Sequence, residues 1–256
     1  MFALENLCSG YHDGKYFLQD ITLEIPGKSF TSIIGQNGSG KSTLLRTLAG
    51  LEKYSGHAGL GNYEIAKISH GKFAKYVSVM LSGKNFTPSY PFTVREIIAL
   101  GRLPHRKLFA RLTEHDQEII LNAAKKLHLE KFLDRNIMSL SDGERQLALL
   151  ACVLAQDTEI ILLDEPTASL DPDKSLRIFA LLRELANDGK CIIAAVHDIN
   201  ASLNYSDYYV ALKNGKLISN GIAKNLSPEI LREIYDTNFV KYVNSGRNDV
   251  LWHAVC

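Results

Sequence analysis

Two hydrophobic patterns alternate along the chain: short apolar runs typical of strands and longer amphipathic stretches typical of helices. The clearest strands are predicted at Phe30–Ile34, Ile160–Leu163 and Cys191–Val196. The last two contain no charged residue, which is typical of parallel strands buried on both faces. Strands that alternate with helices predict an α/β fold with a parallel sheet.

Two predicted helices follow the first two of these strands. One carries leucines on a single face and ends at Gly50, and the other runs over about Pro172–Asn187. Asp171 has the position and the side chain of an N-cap for the second helix, and Pro172 suits its first turn.

The middle of the chain, from about residue 85 to 136, shows little strand pattern and several helical stretches. Within it, Thr113 and Asp116 have the spacing of a helix-opening cap. Near the end, the runs VKYVN and VLWHAV flank SGRND and predict a terminal hairpin. We therefore expect one domain over 1–256, with a core from 1–84 and 137–256 and a helical insertion over about 85–136.

Composition narrows the class of protein. The 256 residues include 29 Lys and Arg against 28 Asp and Glu, and the net charge of +1 argues against nucleic-acid binding through global charge. No apolar run reaches the roughly 18–20 residues that cross a bilayer, and the N-terminus lacks the features of a signal peptide. We expect a cytosolic chain in which Cys8, Cys152, Cys191 and Cys256 have no metal or redox role, because they show no ligand spacing.

The segment GQNGSGKS matches the phosphate-binding pattern G-x-x-x-x-G-K-[ST]. The alternative, a glycine-rich turn that starts a helix, is disfavoured because the match lies between a predicted strand and a predicted helix. Its backbone N–H groups and the helix dipole favour a triphosphate, Lys41 adds a positive charge, and the Ser42 hydroxyl can ligate Mg²⁺. The residues predicted to bind the nucleoside triphosphate here are Gly35, Gln36, Asn37, Gly38, Ser39, Gly40, Lys41, Ser42 and Thr43.

Acidic residues follow the second predicted strand, and a histidine follows the third. Asp164 and Glu165 lie where open α/β sheets place their ligands, so we expect Asp164 to hold Mg²⁺ and Glu165 to polarise the attacking water. Adjacent acids also cap turns, and a lone histidine is often structural. Beside a phosphate loop, we expect His197 to contact the γ-phosphate.

The segment LSDGERQ over Leu140–Gln146 is, as local structure, the start of a helix with Ser141 as its N-cap and Glu144 at the third helical position. A helix N-terminus with an exposed serine and a glycine can also grip a phosphate. These two interpretations are compatible.

The phosphate loop, LSDGE, LLDEPTASLD and the HD after a strand resemble, in order and spacing, the ATP-binding subunit of an ABC transporter, over nearly the whole chain. The resemblance implies a P-loop NTPase (RecA-like) core with a parallel sheet, an N-terminal antiparallel β part and an inserted α-helical subdomain. It also implies ATP and Mg²⁺ as cofactors and a head-to-tail homodimer with two ATP molecules at its interface.

The resemblance assigns further roles to single residues. The signature residues would contact the ATP that is bound by the other subunit, and Asp171 would communicate across the interface. Tyr11 matches the aromatic residue that stacks on adenine, although an ordinary surface tyrosine is the alternative. The signature residues are Ser141, Asp142, Gly143 and Glu144.

Finer features resemble the importers of iron–siderophore, haem and cobalamin, among them FTVREIIALGRLPH, LTEHD, LSDGERQ, HDIN and LSPEIL. This branch implies an ATPase at the cytoplasmic face of the inner membrane. It would energise import through two separate membrane-spanning permease subunits and indirectly serve a substrate-binding protein, with no nucleic-acid partner. The alternatives are a soluble ABC ATPase of cofactor assembly and a nucleic-acid-processing ABC protein, which would need a coiled coil, tandem cassettes or a basic surface.

Ser82 departs from the family pattern, which has a glutamine after the strand that reads KYVSVML. That glutamine reaches Mg²⁺ and the attacking water in the family, and serine is too short to do so without a bridging water. Asn85 is a possible substitute. We expect slow basal hydrolysis or coupling through another contact, and the departure keeps open a third alternative, an ATP-binding switch that barely hydrolyses.

The chain has one notable basic cluster, which we expect either to be a solvated face or to contact the membrane subunits or lipid headgroups. Its members are Arg102, His105, Arg106, Lys107 and Arg111.

Overall fold

Strands and helices alternate through most of the chain, as the hydrophobic pattern predicts. The computed structural model describes residues 1–12, 15–81, 90–107, 110–244 and 249–255, with the backbone alone described at 11, 12, 243, 244 and 249. In chain order the strands are β1 (Phe2–His12), β2 (Lys15–Ile25), β3 (Phe30–Ile34), β4 (Tyr54–Leu60), β5 (Tyr63–Glu64), β6 (Val77–Met80), β7 (Ile160–Asp164), β8 (Cys191–Ala195), β9 (Tyr208–Lys213), β10 (Lys216–Ile222), β11 (Asn238–Asn244) and β12 (Asp249–Val255).

Eight α-helices lie within the described ranges, together with short 3₁₀ turns. The helix predicted over Pro172–Asn187 has these same bounds in the structure, and Asp171 caps it through a bond from the Lys174 N–H. The helices are α1 (Lys41–Leu48), α2 (His70–Phe73), α3 (Val94–Leu100), α4 (Glu114–Lys126), α5 (Asp142–Ala155), α6 (Pro172–Asn187), α7 (Ile199–Tyr205) and α8 (Pro228–Tyr235).

The central sheet has the strand order β10-β9-β3-β8-β7-β6. Its strands run parallel except for β10, which pairs antiparallel with β9 at one edge. The three strands predicted from the sequence are neighbours here, and every residue of them is buried. Their carboxyl ends therefore lie side by side at one edge of the sheet.

A second, antiparallel sheet has the order β2-β1-β4-β5 and confirms the antiparallel N-terminal part. Only one face of its strand β2 is buried, as its alternating pattern shows. That face packs with α1 and one face of the central sheet in a single apolar cluster, which includes Leu18, Leu44, Leu48, Leu162 and Ile193.

The other face of the central sheet packs against α3, α4, α5 and α6 in a second cluster. Because successive side chains of a strand point to opposite faces, β7 sends Ile161 and Leu163 to this cluster and Ile160 and Leu162 to the first. Burial also raises the pKa of the Cys191 thiol to about 11, which disfavours the thiolate.

The predicted helical region contains α3 and α4, and both open with a capping box; the one at Thr113 and Asp116 confirms the predicted cap. The start and the end of the region meet, since the Val94 N–H donates to the Arg135 carbonyl at 3.0 Å. Helix α5 packs against α3, α4 and β6, and together α3, α4 and α5 form the helical layer of the molecule. The boundaries near 85 and 136 stay predictions.

The predicted terminal hairpin is formed by β11 and β12, which pair antiparallel. It is held to α7 by Asn200, whose side chain accepts from the Trp252 N–H at 2.6 Å and donates to the Trp252 carbonyl at 3.1 Å. None of the helices in the described ranges has both the length and the apolar character needed to cross a membrane.

Candidate nucleotide site

The phosphate loop joins the end of β3 to the start of α1, as predicted. Gly40 is the N-cap residue of α1 with φ of 111°, a backbone conformation that favours glycine, and a Cβ there would lie 2.6 Å from Leu18 Cδ2. No side chain in the described ranges caps α1, and its first turn has no acidic residue. The free N–H groups and the positive dipole end of α1 are therefore available to an anion.

Lys41 is only 5% exposed, and its side chain folds back onto the phosphate loop. Its Nζ donates to the carbonyls of Gly35 at 2.8 Å and Gln36 at 3.0 Å. Burial lowers the pKa of Lys41, and the nearby charges of Glu165 and Asp164 oppose that shift. The loop thus holds a buried ammonium beside two carboxylates, at the position where a triphosphate would add negative charge.

One cavity of about 560 Å³ joins the phosphate loop to Glu165 and His197. Its size lies in the range of small-molecule sites. The tertiary structure therefore brings together two groups of residues that the sequence separates by more than 120 positions. The lining residues are Phe17, Asn37, Gly38, Gly40, Lys41, Ser42, Thr43, Glu165 and His197.

Glu165 and His197 form a hydrogen-bonded pair at the ends of β7 and β8. His197 Nε2 lies 2.6 Å from Glu165 Oε1, and because an ionised carboxylate only accepts, the imidazole donates. Glu165 has φ of 52°, a left-handed conformation that costs a non-glycine residue about 1–2 kcal/mol. Such strain is common at functional sites, where it aims a side chain out of a strand end.

Asp164 is the last residue of β7 and is 2% exposed. The described residues contain no group of three or more His, Cys, Asp or Glu side chains that could hold a metal ion. A hydroxyl from Ser42 and a carboxylate from Asp164 nevertheless fit Mg²⁺, which in nucleotide sites takes its remaining ligands from phosphates and water. The donor set suits a magnesium–nucleotide complex better than a metal held by protein alone.

The signature residues cap α5. The Ser141 hydroxyl accepts from the Glu144 N–H at 3.3 Å, and the Glu144 carboxylate accepts from the Ser141 N–H at 2.9 Å. This backbone donation, with a bond from the Ser141 hydroxyl, lowers the pKa of Glu144. None of the residues Ser141, Asp142, Gly143 and Glu144 lines the cavity of their own chain.

Three residues with roles predicted from the sequence lie partly or wholly outside the described residues. The backbone of Tyr11 belongs to β1, but its side chain lies outside them, and so do all of Ser82 and all of Asn85. Their predicted roles stay predictions. Asp171 is placed as the cap of α6 and also pairs with Lys174 at 2.7 Å.

Phe17 is a cavity residue that the sequence reasoning missed. It projects from β2 beside the buried Leu18, and its ring stands at the rim of the cavity, 42% exposed. The signal available in the sequence was an aromatic side chain at an outward position of an alternating strand.

The basic cluster is not a single surface patch, and the expectation is wrong for Arg102. Arg102 is 6% exposed, its Nε donates to Asp116 Oδ1 at 2.8 Å, and its Nη1 donates to the Ala155 carbonyl at 2.9 Å. The positive charge of Arg102 is therefore paired with Asp116 among the helices and is not presented at the surface. The run of basic residues along the chain does not indicate this ion pair, because the partner, Asp116, belongs to the next helix.

Comparisons with known proteins agree with this site. The sequence model of the family described as "ABC transporter" matches residues 18–168. The chain is 38% identical over 235 residues to the ferric enterobactin transport ATP-binding protein of Escherichia coli K12, covering 90% of this chain and 85% of that protein. It is 36% identical over 238 residues to the iron(3+)-hydroxamate import ATP-binding protein of Bacillus subtilis 168, covering 91% of this chain and 87% of that protein.

Solved structures show the same fold. An inward-facing ABC transporter, proposed to be of the metal-chelate type, matches with a TM-score of 0.82 at 26% identity, over 99% of this chain and 96% of that chain. An ATP-binding cassette solved as a dimer after hydrolysis, with ADP and phosphate, matches with a TM-score of 0.76 at 27% identity, over 88% of this chain and 100% of that chain. The motifs, the cavity and these matches together show that the chain belongs to the ABC transporter family and is one of its ATPase cassettes.

Proposed function

We propose that this ATPase powers the import of a metal chelate of the iron–siderophore, haem or cobalamin type through separate membrane-spanning subunits. The observation that carries the enzymatic part is the cavity that joins the phosphate loop to the Glu165–His197 pair. The substrate class is supported by relatives whose names specify ferric enterobactin and iron(3+)-hydroxamate.

The phosphate loop binds the triphosphate through the N-terminus of α1 and the Lys41 ammonium, both of which favour negative charge. Glu165 orients and polarises the attacking water, and His197 holds its carboxylate through the 2.6 Å bond. Ser42 and Asp164 would hold Mg²⁺, which neutralises charge on the phosphates when bound.

The active unit is a head-to-tail homodimer. This proposal is supported by the position of Ser141 and Gly143, which do not line the cavity of their own chain, and by the similarity to a cassette that was solved as a dimer. Each ATP would lie between the phosphate loop of one subunit and the signature residues of the other. Asp171 and Tyr11 keep their proposed roles at the interface and at the adenine ring.

The place of action is the cytoplasmic face of the membrane, where the ATPase docks on two permease subunits and serves a substrate-binding protein indirectly. Neighbouring genes for a permease and a binding protein would favour import over the alternative in cofactor assembly. No nucleic-acid partner is proposed.

The test of the enzymatic role is phosphate release by purified protein and by Glu165→Gln. Loss of the carboxylate that polarises water is expected to lower kcat by at least about 100-fold. ATP affinity should stay close to that of the wild type, because Glu165 contributes no positive charge or backbone N–H to the phosphate site.

A wild type that is as slow as Glu165→Gln would contradict the ATPase proposal. It would instead favour the ATP-binding switch that the departure at Ser82 keeps open.

A further inference from the structure

The side chain of Gln146 joins two parts of the loop that follows β7. Gln146 lies one turn into α5 and is 9% exposed. Its Nε2 donates to the Glu165 carbonyl at 2.8 Å, and its Oε1 accepts from the Ser169 N–H at 2.9 Å. One amide group thus spans the segment that begins with the proposed water-polarising residue.

The chemistry of these partners requires an amide. A backbone carbonyl only accepts and a backbone N–H only donates, so the pair needs one donor and one acceptor on a single side chain. Glutamate could accept from Ser169 but would put a negative oxygen against the Glu165 carbonyl. An apolar side chain of the same length would satisfy neither group.

The backbone at Glu165 needs such support. Its left-handed φ of 52° is unfavourable for a residue with a Cβ, and it persists only where neighbours hold it. The Glu165 N–H donates to the Ala195 carbonyl at 3.0 Å, which ties it to β8. Its carbonyl accepts from the Ala168 N–H at 3.2 Å and from Gln146, which ties it to the loop and to α5.

The first turn of α5 also lies directly against the same loop. A Cβ on Gly143 would be 2.9 Å from the Ser169 carbonyl oxygen, closer than real side-chain contacts. Gly143 and Gln146 are one helical turn apart and both face Ser169. A shift of this turn therefore cannot occur without moving the loop from Glu165 to Ser169 or breaking the Gln146 bonds.

We propose that Gln146 is a positioning residue that couples the two ATP sites of the dimer. The inference rests on the proposed function, in which Ser141 and Gly143 contact the ATP of the partner. When those residues engage that nucleotide, the first turn of α5 moves, and Gln146 transmits the movement to the backbone of Glu165 in its own chain. Each subunit then sets its water-polarising carboxylate in response to the other site.

The experiment compares two variants at this position, Gln146→Met and Gln146→Glu, with a matched control. Gln156 lies at the other end of α5, and its Nε2 donates to the carbonyls of Ala74 at 2.6 Å and Val77 at 3.0 Å. Gln156→Met therefore removes two comparable backbone contacts of the same helix, far from Glu165. Thermal unfolding of all three variants measures how much each loses in stability.

Steady-state ATP hydrolysis is the first readout. Gln146→Met and Gln146→Glu are expected to lower kcat by about 10-fold or more while KM changes less than about twofold, and to bring the Hill coefficient for ATP close to 1. Gln156→Met is expected to keep the kcat and the cooperativity of the wild type. A Gln146→Glu protein with wild-type kcat would overturn the proposal, because it lacks only the donor to the Glu165 carbonyl.

Amide hydrogen exchange of the segment 165–170 is the second readout and does not depend on turnover. Gln146→Met should exchange faster there than the wild type, and Gln156→Met should not. Unchanged exchange, or equal loss of kcat in Gln156→Met, would overturn the coupling role. A wild type without ATPase activity would refute the proposed function instead, and the exchange experiment would still decide whether Gln146 holds the loop.

Discussion

At the scale of single residues, the pair formed by Arg102 and Asp116 ties three segments of the helical layer together. Besides the guanidinium, the Asp116 carboxylate accepts from the Thr113 N–H at 3.0 Å and from the Thr113 hydroxyl at 2.7 Å, while Arg102 also bonds to the last residue of α5. The Arg102 bond and then those from Thr113 hold the pKa of Asp116 well below its usual range. One carboxylate thus serves as both helix cap and buried ion-pair partner.

Arg102→Met is expected to lower the free energy of unfolding by about 3 kcal/mol, because it leaves a buried carboxylate without its cation. Arg95→Met is the matched control. The exposed pair of Arg95 with Asp134, at 3.2 Å, should contribute less than about 1 kcal/mol. Urea unfolding at neutral pH measures both, and equal losses in the two variants would contradict the argument.

The same pair makes stability depend on acid in a defined direction. A carboxyl group whose pKa is lower in the folded state stabilises the fold above its ordinary pKa of about 4, and this contribution is lost as the pH falls below that value. When the urea unfolding is repeated at progressively lower pH, the difference in the free energy of unfolding between wild type and Arg102→Met should therefore become smaller.

At the scale of elements, the end of α8 supports the phosphate loop from 200 positions away. The Tyr235 hydroxyl accepts from the Gly35 N–H at 3.2 Å. The next residue, Asp236, pairs with Lys213 at 2.7 Å and accepts from Gln36 Nε2 at 3.5 Å. The loop is therefore held by the C-terminal part of the chain as well as by β3 and α1.

Tyr235→Phe is expected to destabilise the protein by about 1–2 kcal/mol, since it leaves the Gly35 N–H without its acceptor. A loop less well held should also bind ATP several-fold more weakly. Unfolding curves and ATP titrations measure the two effects. Tyr242→Phe, at an exposed position on the terminal hairpin, is the control and should change neither.

Alkaline pH provides a second measure of the same contact. Burial raises the pKa of Tyr235 to about 12, against a smaller opposing effect of the Gly35 N–H. A tyrosine whose pKa is raised in the folded state stabilises the fold below about pH 10, and this contribution is lost as the pH rises toward 12. Tyr235→Phe should therefore lose less stability at alkaline pH than the wild type. The variant should still lose the contribution of Tyr54, whose pKa is also raised to about 12.

At the scale of the whole molecule, the two halves of the proposed ATP site lie on different parts of one chain. The cavity contains the phosphate loop, Glu165 and His197, and the cap of α5 lies outside it. A second copy in head-to-tail orientation would supply the missing half, which makes assembly a condition of hydrolysis in the proposed mechanism.

ATP is therefore expected to convert Glu165→Gln from monomer to dimer in size-exclusion chromatography, because bound ATP is not consumed. Adding Ser141→Arg should abolish the dimer by placing a bulky side chain at the interface, while ATP binding to the monomer persists. Ser55→Arg, on the exposed side of β4, is the control and should leave the dimer intact. A dimer that survives Ser141→Arg would argue against the head-to-tail arrangement.

Much of the fold could be predicted because its signals are local. The strand at Phe30–Ile34, the helix over Pro172–Asn187 and the caps at Thr113, Ser141 and Asp171 depend on periodicity and on hydrogen bonds within a few residues. The Arg102 ion pair and the bonds of Gln146 join distant segments, and no local pattern signals them. Phe17 has a local signal in its outward position on a strand, but only the tertiary structure places it at the cavity rim.

The order and spacing of the motifs were enough to predict the class of fold, the nucleotide chemistry and the family, because glycines, a lysine, a hydroxyl and carboxylates at fixed positions reflect what a phosphate site requires. Only the tertiary structure decided which of these groups meet. It placed Glu165 in a strained conformation against His197, and it linked Glu165 through Gln146 to α5, the helix that the signature residues begin. The physical reason is that such contacts depend on how sheet and helices pack, which is a property of the whole chain.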